Sequence, residues 1–92
     1  MDQLHSNNDF KILSVELPSG KIMPRHYATS DAFIIVNFGL ALLILKNETV
    51  ELKQGVTFAI PALEPHILKI VENFNAYIVM ASNAEIKFFE TS

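Results

Sequence analysis

Few side chains in this sequence could do chemistry, and the histidines are the most informative of them. The chain has no cysteine and three histidines, His5, His26 and His66. Without cysteine there is no disulfide framework, no thiolate nucleophile and no cysteine-based zinc or iron–sulfur site. An imidazole can ligate a metal or carry a proton. His26 lies six residues after Gly20, and His66 lies eleven residues after Gly55. His5 lies in a polar opening segment, where we expect it to be solvated.

Several other kinds of function lack support in the sequence. It shows no Ser-His-Asp arrangement, no glycine loop that would cradle a phosphate and no close pair of inward carboxylates. The net charge is -3 and the cations stand singly, which argues against nucleic-acid binding. The longest apolar run, 40–45, is far below the roughly 20 residues of a membrane span. The opening residues do not resemble a secretory signal, so we expect a cytoplasmic protein.

The residues around His26 and His66 resemble the two sequence motifs of the cupin family. Six residues hold positions that these motifs require: Gly20, His26, Gly39, Gly55, Pro61 and His66. The segment between the motifs, 40–54, has the length of the shortest common spacer in the family. The resemblance implies a jelly-roll barrel, often a homodimer, with a divalent transition metal ion bound between the motifs.

The sequence departs from the family pattern at the metal shell. Ala28 stands where the family has its second histidine, and Ala32 stands where it has a glutamate. In the second motif, Leu63 replaces a glycine and Ile70 replaces an asparagine. Of the usual metal ligands, only His26 and His66 therefore remain. Catalytic zinc sites and non-haem iron sites use more than two protein ligands.

The remaining metal ligands are predicted to be His26 and His66, inside an apolar pocket. Side chains at i and i+2 of a strand share a face, so Ala28, Ala32 and Ile34 are predicted to line that pocket. The two imidazoles could also be hydrogen-bonded core residues without a shared function.

Two carboxylates could supply a third ligand. Asp31 would need a β-bulge to turn inward. Glu64 lies in a loop that Pro61 and Pro65 stiffen.

The elements that must position these residues are short strands separated by turn residues. We predict strands at 10–17, 21–28, 32–36, 40–45, 49–52, 56–60, 67–71, 76–82 and 85–89. Turns are predicted at 38–39 and 72–75, among others. The predicted fold is an all-β antiparallel jelly-roll barrel of the cupin type without substantial helix, with a leader at 1–9 and one domain at 10–92.

The strands at 32–36 and 40–45 are apolar on both faces, so their outer faces need a cover. A second copy of the chain would provide one and make a homodimer. The chain's own segments 10–17 or 86–89 are the alternative cover.

Two functions are compatible with this pattern. The first is a non-catalytic or weakly active module that binds a small organic ligand or serves as a dimeric scaffold, with a reduced metal site. The second is a metal-dependent oxygenase or isomerase in which His26 and His66 hold the ion. A sensor domain acting on a regulatory partner is a third possibility.

Overall fold

The computed structural model describes residues 1–89, which form strands and connecting loops without a helix. Its eight strands are β1 (Asp2–Ser6), β2 (Phe10–Leu17), β3 (Ile22–Ala28), β4 (Ala32–Ile44), β5 (Thr49–Lys53), β6 (Thr57–Ile60), β7 (His66–Ala81) and β8 (Ile86–Phe88). All strand pairs are antiparallel. The predicted all-β jelly-roll fold is confirmed. No helix in the described part of the chain is long and apolar enough to cross a membrane.

The strands form two sheets that share the long strands β4 and β7. Sheet I consists of β6, residues 32–38 of β4, residues 74–81 of β7, β2 and β1, in that order. Sheet II consists of β5, residues 40–44 of β4, residues 66–72 of β7, β3 and β8. The two sheets face each other, and the core lies between them.

The prediction of separate strands at 32–36 and 40–45 was wrong, because β4 continues through the expected turn. The prediction of a turn at 72–75 was wrong for the same reason, since β7 is one strand and Phe74 within it is fully buried. β4 and β7 bend together at three register shifts between Val36 and Ala41. Gly39 has a φ of 93°, and a Cβ there would lie 2.0 Å from the Asn73 carbonyl oxygen. Glycine therefore permits a bend rather than a turn at this position.

Residues 1–9 are not simply a polar leader. Residues 2–6 form β1, which pairs with β2 at the edge of sheet I although all five of its side chains are exposed. This segment has no hydrophobic pattern typical of a strand, because backbone pairing with an existing strand requires no buried side chains. His5 is exposed as expected, with its ring 5.7 Å from that of Phe10.

The core is aliphatic and contains two polar side chains. The most deeply buried large residues are Val15, Leu43, Leu52 and Phe74. Within the described residues, the buried polar or charged side chains are those of His26 and His66, each 6% exposed. Because burying a polar group is costly unless it finds partners, the surroundings of these two imidazoles bear directly on function.

Candidate functional site

His26 lies on β3 beyond an irregularity that Pro24 explains. The register between β3 and β7 shifts between Met23 and His26, so the strand does not alternate regularly there. Proline has no backbone N–H to donate to the ladder, and strands accommodate it at bulges. The bulge allows both Met23 and His26 to face the barrel interior.

His66 is the first residue of β7 and lies directly opposite His26 in the register. The loop before it is fixed by a hydrogen bond from the Leu63 amide to the Ala28 carbonyl, 2.9 Å long. Leu63 has a φ of 68°. This left-handed conformation favours glycine, which explains why the family motif has glycine where this chain has leucine.

The structure therefore brings together the two predicted metal ligands. Their ring centroids are 4.2 Å apart in an edge-to-face arrangement. The His26 ring also lies 5.0 Å from the ring of Phe88, which is half exposed on β8. His26 thus lies between a second imidazole and an aromatic side chain at the rim of the barrel.

Both imidazoles are held by the same backbone contact. Nδ1 of His26 donates to the Pro24 carbonyl at 2.6 Å, and Nδ1 of His66 donates to the Glu64 carbonyl at 2.9 Å. A carbonyl only accepts, so each Nδ1 carries the proton and each Nε2 has a free lone pair. Metal-binding histidines commonly have this arrangement, in which the outer nitrogen is tied to a carbonyl.

Burial lowers the pKa of both imidazoles from the ordinary value of 6.5. For His26, the nearby His66 lowers the pKa further, whereas the hydrogen bond to Pro24 opposes the shift. For His66, the hydrogen bond to Glu64 opposes the effect of burial. At neutral pH both rings are therefore uncharged, which is the form that can bind a metal.

The space beside the imidazoles is small and apolar. The cavity has a volume of about 40 Å³ and is lined by Met1, Val15, Met23, His26, Ile34, Leu43, Ile60, His66, Leu68, Ile78 and Ile86. One water molecule occupies about 30 Å³ of liquid. Of the three residues predicted to line the pocket, Ile34 does so, whereas Ala28 and Ala32 are buried but do not belong to this lining.

The metal shell of the family does not fit these residues. No group of three or more His, Cys, Asp or Glu side chains that could hold an ion occurs within residues 1–89. Asp31 is exposed, and its carboxylate accepts a 2.8 Å hydrogen bond from the Ala62 amide, so it caps the loop instead of turning inward. Glu64 contacts His66 through its backbone carbonyl.

Sequence reasoning missed the contribution of methionine. Regular alternation from His26 would place Met23 on the outside, and the bulge at Pro24 reverses this. Met1 lines the same cavity while remaining 58% exposed. The proline was a signal in the sequence for the bulge, but only the register shows in which direction Met23 points.

A larger hollow of about 500 Å³ lies beside the site. It is lined by Arg25, Ile44, Leu45, Lys46, Pro65, His66 and Ile67. Arg25 and Tyr27 both pack on Phe89, with the Arg25 guanidinium 4.4 Å from the centre of the Phe89 ring.

Comparison with solved structures identifies similar proteins. A conserved protein of unknown function from Streptococcus pyogenes is 31% identical, with 87% of this chain and 70% of that chain covered and a TM-score of 0.77. An RmlC-like cupin with a double-stranded β-helix fold from Methanocaldococcus jannaschii is 23% identical, with 88% and 77% covered and a TM-score of 0.78. Salicylate 1,2-dioxygenase from Pseudoaminobacter salicylatoxidans is 16% identical, with 87% and 26% covered and a TM-score of 0.77.

No family model matches the sequence, and no curated protein matches it significantly. The likenesses below 25% identity establish the fold alone, and several of the matched structures are cupins. Together with the two sheets, the register and the paired motif histidines, they give one conclusion. The chain has the cupin fold, a double-stranded β-helix.

Proposed function

We propose that this chain is a non-catalytic cupin module that self-associates as a homodimeric scaffold and retains a reduced metal site. The observation that carries the proposal is the cavity of about 40 Å³ beside the two imidazoles. Sites for small molecules usually measure about 300–1,000 Å³. The interior has room for about one water, so a substrate would have to displace core side chains.

The reduced site has too few ligands, and no anionic one, to bind a divalent ion tightly. His26 and His66 are neutral ligands, and no carboxylate belongs to the cavity lining. Divalent ions in proteins usually have three or more protein ligands, often including an anion. We therefore expect zinc, iron, manganese and nickel ions to bind weakly to this site.

Self-association is supported by the outer face of sheet I. Next to His5 and Asp2 of β1, two rows of side chains cross β2, β7, β4 and β6, namely Ile12–Val79–Phe33–Ala59 and Ser14–Tyr77–Ile35–Thr57. We call the eight residues of these two rows the uncharged face, because none of them carries a charge at neutral pH. Phe33 and Tyr77 are 41% and 38% exposed.

A second copy of the chain is the partner that suits this face. In a two-fold symmetric dimer the same patch of each copy contacts the other. A patch with charges of one sign would therefore repel its own copy. The uncharged face avoids that repulsion and buries aromatic side chains of the kind that contribute most at interfaces.

Sedimentation equilibrium tests the scaffold proposal. We expect a dimer for the unmodified chain, and we expect Phe33→Lys to weaken dimerisation by at least a hundredfold, which is about 2.7 kcal/mol. Ile22→Lys is the matched control, because Ile22 is 51% exposed on sheet II. A monomeric unmodified chain, or equal effects of both substitutions, would contradict the proposal.

Elemental analysis tests the reduced site. Zinc, iron, manganese and nickel should remain well below one equivalent in the purified chain, and the His26→Ala variant should not differ. A stoichiometric divalent metal that disappears in the variant would show that the chain holds the family's kind of ion.

A metal-dependent oxygenase or isomerase is the second candidate function. The Nδ1 contacts favour it, because they leave each Nε2 with a free lone pair. Such an enzyme would need water or substrate to complete the shell, and substitution of either histidine by alanine should abolish both metal binding and turnover.

A small organic ligand has a more suitable place outside the barrel. The hollow of about 500 Å³ combines apolar Ile44 and Ile67 with the cations Arg25 and Lys46, so it would take an organic anion. Titration with benzoate, followed by NMR, should shift residues of this hollow in the unmodified chain and not in Arg25→Gln. Shifts confined to other residues would contradict this assignment.

A further inference from the structure

Two methionines also line the cavity beside His26 and His66. Met23 precedes His26 by three residues, and Met1, which is 58% exposed, precedes β1. The other lining residues are aliphatic. The lining residues that could ligate a metal are therefore two histidines, which have imidazole nitrogens, and two methionines, which have thioether sulfurs; all four side chains are uncharged at neutral pH.

This ligand set discriminates between metal ions by charge. The cost of moving an ion from water into an apolar interior rises with the square of its charge, so a dication costs four times as much as a monocation of equal size. The cavity lining has no carboxylate to offset that cost. A monovalent ion is therefore strongly preferred.

The ligand set also discriminates by chemical softness. Thioethers are soft ligands that select Cu(I), and imidazoles suit copper as well. A d¹⁰ ion such as Cu(I) has no geometric preference from its d electrons and accepts few ligands. A cavity that holds about one water can enclose a single ion without its hydration shell.

We propose that His26, His66 and Met23 bind one Cu(I) ion in this cavity, with the Met1 thioether at its mouth. The bulge at Pro24 is the feature that builds the site, because it turns Met23 inward beside His26. The Nδ1 contacts to the Pro24 and Glu64 carbonyls leave both Nε2 atoms free as ligands. This proposal goes beyond the scaffold function and does not depend on it, since a monomer would have the same cavity.

Anaerobic competition with the coloured Cu(I)–bicinchoninate complex tests the proposal. The unmodified chain should withdraw one equivalent of Cu(I), and an excess of Zn(II) should not displace it. Met23→Leu preserves side-chain volume and should weaken Cu(I) binding by at least about tenfold. Met80→Leu is the matched control, because Met80 is buried but does not line the cavity, and it should bind like the unmodified chain.

Failure to withdraw Cu(I), displacement by Zn(II), or equal affinities of the two leucine variants would each overturn the proposal. The sedimentation experiment on the scaffold function is unaffected by any of these results. The two proposals can therefore fail separately.

A second measurement does not rely on the Met23 variant folding. The chain has three methionines, so ¹³C labelling of their methyl groups gives three signals. Addition of Cu(I), which is diamagnetic, should shift the Met23 signal and leave the Met80 signal in place. An unmoved Met23 signal in the copper-loaded chain would overturn the assignment of sulfur as a ligand.

Discussion

The outer faces of the two sheets are built from similar strand sequences and have different character. On sheet I, Phe33 lies between Ala59 and Val79. On sheet II, Leu42 lies between Glu51 and Lys69. Residues 32–36 and 40–45 are equally apolar along the chain, but neighbouring strands give one segment uncharged surroundings and the other charged surroundings.

Whether the outer face of a strand must be covered by a partner therefore depends on the neighbouring strands as well as on its own sequence. The long side chains of Glu51 and Lys69 can shield the leucine between them while keeping their charges in water. On sheet I, no such side chain flanks Phe33, which remains 41% exposed. The predicted need for a partner therefore applies to the uncharged face and not to the outer face of sheet II.

The largest expected effect comes from a substitution at Gly39, where β4 and β7 bend from one sheet into the other. Gly39→Ala would force a Cβ to within 2.0 Å of the Asn73 carbonyl oxygen, and it would place alanine at a φ of 93°. We expect a loss of at least about 3 kcal/mol in the free energy of unfolding, measured by urea denaturation. Both sheets should be lost in one transition, because β4 and β7 belong to both.

Gly55→Ala is the matched control for this prediction. Gly55 has a φ of 85°, but nothing lies within 4 Å of a Cβ there. Only the backbone conformation is penalised, so the loss should be about 1–2 kcal/mol. Equal losses for the two variants would show that β4 and β7 do not approach as closely as described.

The bend at Gly39 also shows how much of the fold could be predicted from the sequence. The strand at 10–17 was predicted with the bounds that the structure has, because it is rich in β-branched and large apolar residues and ends at a Pro-Ser-Gly turn. Gly39 and the segment 72–75 were mistaken for turns, because a bend in a strand and a turn require the same residue types. The two long strands are recognised only from their pairing.

The site was predictable in part. The motif spacing identified His26 and His66, and the register places them side by side. The inward direction of Met23 depends on a bulge, and the cavity volume depends on packing across both sheets. Neither can be obtained from spacing along one chain.

Lowering the pH is expected to have an intermediate effect on the free energy of unfolding, because His26 and His66 are buried between the two sheets. The folded chain holds the pKa of His26 and of His66 below the 6.5 of an unfolded chain, so the unfolded chain takes up protons first as the pH falls. The contribution of the two uncharged imidazoles to the free energy of unfolding is therefore fully present above pH 6.5. It declines as the pH falls from 6.5 to the lower pKa that each imidazole has in the folded chain. Each imidazole can contribute at most about 1.4 kcal/mol per pH unit.

Urea denaturation between pH 7 and pH 5 measures this decline. We expect His26→Gln to reduce its slope, because one buried imidazole is removed. His5→Gln, at an exposed position, should leave the slope unchanged. A slope that does not respond to His26→Gln would mean that the imidazole is not buried as described.

The smallest expected effect is that of salt on self-association. Because the uncharged face has no ion pairs to screen, the dimer dissociation constant should change by less than about twofold between low and moderate sodium chloride. Sedimentation at several salt concentrations measures this. A steep weakening with salt would indicate association through charged residues, such as those on the outer face of sheet II.

Isoleucine methyl NMR on dilution distinguishes the two faces most directly. Ile12 and Ile35 belong to the uncharged face, whereas Ile22, Ile44 and Ile67 lie outward on sheet II. We predict that the methyl signals of Ile12 and Ile35 shift as the dimer dissociates, while those of Ile22, Ile44 and Ile67 stay in place. Shifts confined to the isoleucines of sheet II, or no shift on dilution of a dimer, would contradict the assignment of the uncharged face as the interface.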